Sequence, residues 1–251
     1  MPLTLTSLPD IPIIRPGDDL VSIILASLHP ANLTLQDGDI LVLAQKIVSK
    51  AEGRLFHLAQ ITASEAALQL AVATEKDPRL VELILRESRE ILRYRPGSLI
   101  VEHHLGFVCA SAGIDRSNVP GDGEWVLLLP KNPDASAQRI RTGLEEASGK
   151  RLGVMVIDSH GRAWRLGTVG VAIGMAGMPG LVDLRGRPDM FGYQLQITLV
   201  GAADELAAAA SLVMGQAAEG TPVVHVRGFP YPLREGALQE LLRPRETDMF
   251  R

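Results

Sequence analysis

The spacing of apolar residues along the chain switches between the two-residue period of strands and the 3.6-residue period of helices, and each switch marks an element. Leu3–Leu8 reads as a short strand. The segment Ile11-Pro12-Ile13-Ile14-Arg15-Pro16-Gly17 follows as an extended loop stiffened by its prolines. Asp18 is placed to cap a helix to about Leu28, with Leu20, Ile23, Ile24 and Ser27 at helical spacing. The turn Gln36-Asp37-Gly38-Asp39 precedes an apolar strand, Ile40–Ala44, and a polar, basic stretch from Gln45 to Arg54 follows that strand directly. Thr62 and Glu65 form a capping box for a helix to about Ala73. Asp77-Pro78 opens another, whose Leu80, Val81, Ile84, Leu85, Ser88, Ile91 and Leu92 keep the 3.6 period.

Strands then fit Leu99–Glu102, Gly106–Ala110 and Trp125–Leu129. Asp134 is placed to cap a helix to about Ala147, ended by Gly149. Leu152–Ile157 is an apolar strand ending at Asp158, and Gly170–Gly174 and Leu195–Val200 are further strands. Asp204-Glu205 opens an Ala-rich helix to about Gly215, Val223–Val226 is a last core strand, and Leu233–Leu242 predicts a terminal helix. Strands and helices intermingle without a strict strand–helix–strand beat. The expected class is α+β, with a mixed sheet or sheets and flanking helices. There is no internal repeat, low-complexity run or evident interdomain linker.

Composition narrows the function. A 46% hydrophobic fraction in 251 residues supports a sizeable core and excludes disorder. The net charge of −4, from 25 Lys and Arg against 29 Asp and Glu, argues against a nucleic-acid or anionic-membrane partner. Aromatics at 4% argue against base-stacking platforms. The one cysteine, Cys109, excludes an internal disulfide framework and a Cys-based zinc site; in its apolar run it reads as a buried, inert thiol. The N-terminus lacks a basic, long-apolar leader, and Leu166–Val182 is too broken by glycine and Pro179 for a membrane span. The expected protein is soluble, cytoplasmic and mildly acidic.

Four polar loops at strand ends could carry chemistry. In Ala112-Gly113-Ile114-Asp115-Arg116-Ser117-Asn118, Asp115 suits a hard divalent cation and Asn118 a nucleotide; the alternative is an Asx-type turn that satisfies its own backbone. In Asp158-Ser159-His160-Gly161-Arg162-Ala163-Trp164-Arg165, adjacent Asp158 and Ser159 oxygens suit Mg²⁺ with phosphate, and Arg162 and Arg165 suit phosphate oxygens; the alternative is a hairpin turn with solvated arginines. His160 reads as a turn residue, a ligand or a proton carrier. Gln45-Lys46-Ile47-Val48-Ser49-Lys50 suits a polyphosphate or is a solvated helix start, and no P-loop sequence occurs anywhere. Met214–Thr221 allows close backbone approach to a ligand or is a plain helix C-cap and loop. His103-His104 reads as structural, and no nucleophile elbow or triad is present.

The segments QKIVSKAEGR (45–54), SAGIDRSNV (111–119), IDSHGRAWRLGTVGVAIG (157–174) and ADELAAAASLVMG (203–215) together resemble the coenzyme F420-0:γ-glutamyl ligase family. IPIIRPGDDL (11–20), KDPRLVELILRES (76–88), LLLPKNPDASAQRIR (127–141) and VRGFP (226–230) extend the resemblance collinearly from about residue 9 to 230. It implies a two-lobed ligase fold without a P-loop, built as one unit over residues 1–251 with room for two intertwined lobes. It also implies a GTP- and metal-dependent reaction in which a carboxylate of F420-0 becomes an acyl phosphate and L-glutamate displaces phosphate. A second, γ-linked glutamate follows.

By that resemblance Asp115, Asp158 and Arg162 are catalytic. Asp115 and Asp158 hold one divalent ion (Mg²⁺ or Mn²⁺), and Ser159 and Gln216 a second. The GTP site takes Ile11, Pro12, Ile13, Ile14, Gln45, Lys46, Lys50, Asn118, Met214, Gly215, Gln216, Ala217, Ala218, Glu219, Gly220 and Thr221. The resemblance further implies a homodimer and stimulation by K⁺. Ser159 stands where the family commonly has Thr, which keeps the hydroxyl, and Tyr193 where it often has Arg. No appended nitroreductase-like domain is expected. The alternatives are a related amide ligase on another acceptor and a noncatalytic nucleotide-binding module.

Overall fold

The computed structural model describes residues 2–119, 121 and 123–249. Its first half runs β1 (Thr4–Ser7), α1 (Leu20–Leu28), β2 (Ile40–Ala44), α2 (Gln45–Ala51), β3 (Leu55–His57), α3 (Glu65–Thr74), α4 (Pro78–Arg86), β4 (Ser88–Arg95), β5 (Ser98–His103) and β6 (Val108–Ala110). The second half runs β7 (Trp125–Leu127), α5 (Pro133–Ser148), β8 (Gly153–Arg162), β9 (Arg165–Ala176), β10 (Val182–Asp183), β11 (Leu199–Val200), α6 (Ala202–Met214) and β12 (Val223–Arg227).

The expected α+β class with a mixed sheet is what the chain forms. The main sheet has the order β1-β12-β2-β8-β9. Only β2 and β8 pair in parallel; the other neighbours are antiparallel. Alternation along β2 and β8 explains why both strands are apolar throughout. Leu41, Leu43, Val154 and Val156 face α1 and α5 through Leu20, Ile24, Ile140 and Leu144. Ile40, Val42, Met155 and Ile157 face α6 through Ala203, Leu206, Ala207 and Ala210. Each such side chain, once buried, contributes about 1.5–3 kcal/mol, so a sheet covered on both faces needs no polar stripe.

Two glycines set how closely helices approach this sheet. A Cβ on Gly174 would lie 2.4 Å from Pro133 at the start of α5, and one on Gly170 2.5 Å from the Ala207 carbonyl oxygen of α6. A second group of elements packs α3 and α4 on the sheet β4-β5-β6 around Ala67, Leu70, Val81, Ile84, Leu99 and Val101. The β3–β7 pair joins it through Leu58, Leu83, Val126 and Leu128.

Several sequence-based boundaries move. Asp19, not Asp18, caps α1 by accepting from Val21 N; Asp18 instead accepts from Arg15 N at 2.7 Å and closes the preceding turn. Ser64, not Thr62, caps α3, and its hydroxyl donates to Glu82 at 2.6 Å. Asn132 caps α5 ahead of Pro133, so Asp134 is free to accept from the backbone of Met175 and Leu238. The helix opened by Asp77 ends at Arg86 rather than running to Leu92. Residues 88–95 form a strand instead, because the Pro96-Gly97 turn folds them onto β5, with Ile91 opposite Val101 and Arg93 opposite Ile100. Of the strand expected at 195–200 only Leu199–Val200 forms a ladder, opposite Val182–Asp183, while Leu195 and Thr198 make separate backbone bonds with residues 184–187. The terminal helix expected over Leu233–Leu242 shrinks to a single 3-10 turn, Leu238–Glu240. That segment is pinned as a strap: Leu238 N donates to Asp134, and Gly180 N and Leu181 N donate to Glu240.

Candidate active site

A cleft of about 540 Å³ opens at one edge of the main sheet, where β2 ends and β12 begins. There β2 turns without a loop into α2, because Ala44 stays extended and Gln45 starts the helix. Helical periodicity buries Gln45, Ile47, Val48 and Ser49 and sets Lys46 and Lys50 four residues apart on one side. Strand β8 overshoots β2: its last pair with β2 is Ile157 opposite Ala44, and beyond it Asp158–Arg162 pair only with β9. The segment 158–165 is therefore a hairpin rather than a loop after a strand, with Asp158 and Ser159 on alternate faces at the cleft.

The loop 115–119 is laid across this edge by side chains from α2. Lys46 Nζ lies 2.6 Å from Asp115 Oδ2, and Gln45 Nε2 donates to the same oxygen at 2.5 Å. Lys46 also reaches Ser117 Oγ at 3.2 Å, and Lys50 Nζ donates to the Asn118 carbonyl at 2.7 Å. Asn118, in the left-handed region at φ 56°, donates from Nδ2 to the Ala217 carbonyl at 2.9 Å. That bond ties the loop to the segment after α6. On the α6 side, Ser159 Oγ donates to Gln216 Oε1 at 2.9 Å, and Gln216 Nε2 donates to Ser211 Oγ at 2.7 Å.

Charge is concentrated in this edge. Burial pushes Asp115 above the usual carboxylate range; the Lys46 ammonium opposes that shift and the Asp158 charge adds to it. Burial and the neighbouring Lys46 charge lower Lys50. Burial, with the charge of Asp158, raises the Cys109 thiol to about 12, so the inert-thiol reading of Cys109 stands. His160 is not a turn residue: it lies within β8, its Nε2 is 3.0 Å from Asp158 Oδ2, and the Phe107 ring tilts against it at 5.2 Å.

The structure brings most of the sequence-selected residues to this one place. Ile11–Ile14, Gln45, Lys46, Lys50, Asn118, Asp158, Ser159 and the whole run Met214–Thr221 line the cleft. Asp115 stands just behind Gln45 and Lys46, which hold its carboxylate. Arg162 is not among the lining residues. It lies four residues along β8 from Asp158, about 13 Å by strand rise. There its Nη2 donates to the Leu166 carbonyl at 3.3 Å, and its Nη1 has no partner among the described residues. Sequence reasoning missed Ser211, whose signal was a lone hydroxyl one turn before the loop on an otherwise Ala- and Leu-rich face. It also passed over Val119 and Pro222, apolar residues of the cleft wall.

The donor set fits a hard divalent cation. Two mostly buried carboxylates act on each other's charge, and a hydroxyl and an amide oxygen stand nearby. Among the described residues no three His, Cys, Asp or Glu gather as a protein-only cage. Such a cation would complete its shell with water and phosphate oxygens, as Mg²⁺ commonly does. No helix among the described residues is long and apolar enough to cross a membrane.

Comparison with known proteins places the chain in a family. The sequence profile described as F420-0:Gamma-glutamyl ligase matches residues 10–228. The chain is 48% identical to the coenzyme F420:L-glutamate ligase of Methanothermobacter thermautotrophicus, over 100% of both chains. It is 44% identical to the enzyme of that name from Methanococcus maripaludis strain S2, over 96% of this chain and 95% of the relative. The Methanopyrus kandleri protein of the same name is 47% identical over 95% of this chain and 93% of its own.

Proposed function

The chain belongs to the F420-0:gamma-glutamyl ligase family, and from that premise we propose that it joins L-glutamate to coenzyme F420-0 in an amide-forming reaction driven by GTP. The observation that carries this reading is the cleft itself. Every residue assigned to GTP borders it, together with Asp158 and Ser159, and Asp115 stands directly behind.

The proposed chemistry has two steps. An oxygen of the acceptor carboxylate attacks the γ-phosphorus of GTP, giving an acyl phosphate and GDP. The glutamate amine then attacks the acyl carbon and phosphate leaves. The amide keeps one N–H of the amine, and the surplus proton passes to solvent. A repeat on the γ-carboxylate adds the second glutamate.

The residues divide this work by position. Lys46 and Lys50 present two ammonium groups to the polyphosphate. Asn118 and the Met214–Thr221 loop enclose the nucleotide, with Gly215 and Gly220 in positive-φ conformations that admit close backbone approach. Divalent cations held by Asp115 with Asp158, and by Ser159 with Gln216, would neutralise the charge of the transferring phosphoryl group. Alternation along β8 supports that pairing, because it sends Asp158 and Ser159 to different sides.

The same reading carries stimulation by K⁺, a cytoplasmic setting, one catalytic unit and a homodimer. For the homodimer the support is a set of large apolar side chains left exposed, Trp164 and Leu166 at the β8–β9 tip and Met190, Phe191 and Ile197 in the 184–198 arm.

The test is a mass-resolved assay with GTP, Mn²⁺ or Mg²⁺, L-glutamate and F420-0. The expected products carry one and then two added glutamates with GTP consumed in step. No product and no GTP hydrolysis would overturn the reading, and product from other acceptors alone would redirect it to a related amide ligase.

A further inference from the structure

Lys46 and Asp115 are each assigned to a different ligand, the one to nucleotide phosphate and the other to a divalent cation, yet they hold each other. The ammonium is 2.6 Å from Asp115 Oδ2, and the Gln45 amide occupies the same oxygen at 2.5 Å. Both side chains of the ion pair are a quarter exposed, and Asp158 adds a second negative charge close enough to act on Asp115. Taking away a partner would leave two like charges in a partly desolvated corner, which is unfavourable. The corner therefore favours a positive charge beside Asp115. In the unliganded chain that charge is Lys46.

We propose that Lys46 is the resident counter-ion of Asp115, occupying the place of a divalent cation until nucleotide phosphate draws the ammonium away, so that cation and nucleotide bind as a coupled pair. This rests on the cation and nucleotide assignments above. It adds an order to them: a divalent cation meeting the free protein competes with an ammonium and an amide for Asp115. One meeting the nucleotide-bound protein finds the carboxylate released. Linkage then requires that the cation raise nucleotide affinity by the same factor as the nucleotide raises cation affinity. Lys50 does not share this role, because its ammonium donates to the Asn118 carbonyl and makes no ion pair with a carboxylate among the described residues.

The test measures Mn²⁺ binding by the loss of the free Mn²⁺ paramagnetic resonance signal, with and without GDP, and needs no turnover. In the absence of nucleotide, Lys46→Met should bind Mn²⁺ about tenfold more tightly than wild type, within the usual range of coupling between sites. Lys46→Arg, which keeps the charge, should behave as wild type, and Lys46→Met with Asp115→Asn should return to weak binding. Lys46→Gln serves as the second neutral variant where Lys46→Met melts below wild type. A neutral variant that binds Mn²⁺ no more tightly than wild type without nucleotide overturns the proposal while leaving the cation assignment intact. No Mn²⁺ binding by wild type even with GDP overturns that assignment, and this proposal with it.

Discussion

Replacing Gly170 by alanine drives one methyl group into the backbone of α6. Gly170 sits opposite Ser159 in the β8–β9 pair, and its new Cβ would lie 2.5 Å from the Ala207 carbonyl oxygen and 2.6 Å from Ser211 Cβ. That is 0.9 Å short of the 3.4 Å at which ordinary contact begins. The obstacle is backbone, which cannot rotate aside, so the helix must lift. Overpacking of this kind costs roughly 1–3 kcal/mol, and an immovable neighbour argues for the upper half, about 2–3 kcal/mol. For a chain of this size that lowers Tm by roughly 4–12 °C. The same displacement reaches the cleft, because Ser211 accepts from Gln216 and α6 ends at Met214 in the cleft wall. GDP affinity should fall about tenfold, the loss of roughly one hydrogen bond to a polar or charged partner. Gly161→Ala in the same hairpin is the control. Its Cβ meets nothing within 4 Å and its φ is not positive, so its stability should stay level or rise by about 0.4–1 kcal/mol. Urea melts followed by circular dichroism and GDP titration calorimetry in Mn²⁺ read both effects. A Gly170→Ala protein with wild-type midpoint and wild-type affinity would refute the reasoning, as would a Gly161→Ala loss of equal size.

Asp115→Asn and Asp158→Asn should each reduce glutamate ligation at least about a hundredfold, the usual effect of deleting one strong electrostatic contact to a transition state; turnover within a few-fold of wild type would remove that carboxylate from the cation site. Asp39 is buried, which alone would raise its pKa, but donation from Arg227, His225 and Gln36 N brings it down to about 2 from 3.8. A depressed carboxylate contributes stability above its unfolded value and loses it as pH falls through the folded one. Unfolding free energy should therefore drop by about 2 kcal/mol between pH 4 and pH 2 through this group, and Asp39→Asn should abolish that part of the slope in urea melts at stepped pH. Cys109, buried with a thiol raised to about 12, should resist a maleimide at pH 8 in the native protein and label fully in denaturant; native labelling within minutes would contradict its burial. Phe191→Glu with Leu166→Glu should shift the sedimentation coefficient toward monomer while the far-UV circular dichroism stays that of the folded chain, because both side chains are over 90% exposed in the single chain; an unchanged coefficient would take the homodimer interface away from these residues.

How much of the molecule was legible in its sequence depends on whether local spacing or distant partners decide each element. Apolar runs such as Ile40–Ala44 and Leu152–Ile157 were readable because nothing but burial on two faces explains them. The end of α4 was not, because Ile91 and Leu92 continue a helical spacing that pairing with β5 overrides. The terminal strap was misread for a similar reason: Asp134 and Glu240 satisfy its backbone from far away in sequence, so it has no need of a helix. For the cleft, the polar strand ends were visible as candidates, but spacing could not separate them from ordinary turns. Arg162 shows the limit: its place beside Asp158 in the motif suggested a phosphate contact, yet continuation of β8 carries it along the hairpin and out of the lining.

The position of the cleft follows from strand direction. Parallel β2 and β8 both deliver their carboxyl ends to one edge, where side chains and loops are free to converge on a ligand. β12 runs against β2, so the loop that feeds it, Gly215–Pro222, arrives at the same edge, and α6 ends there as well. The opposite edge receives the start of β2 and the end of β12, and holds Asp39 with His225 and Arg227. There the Asp39 carboxylate is taken up by His225 and Arg227 at 2.7–2.9 Å. A net charge of −4 thus conceals an uneven placement, with Lys46 and Lys50 at one end of the sheet and a closed Asp–His–Arg network at the other. The two ends are separable by mutation. Asp39→Asn should lower stability by about 3 kcal/mol, as breaking a buried pair does, with Mn²⁺ and GDP affinities unchanged. Lys46→Met should alter those affinities and lower Tm by less than Asp39→Asn does, because its ion pair is partly exposed. An Asp39→Asn variant that moved both quantities would mean the sheet transmits strain along its strands and does not isolate its two edges.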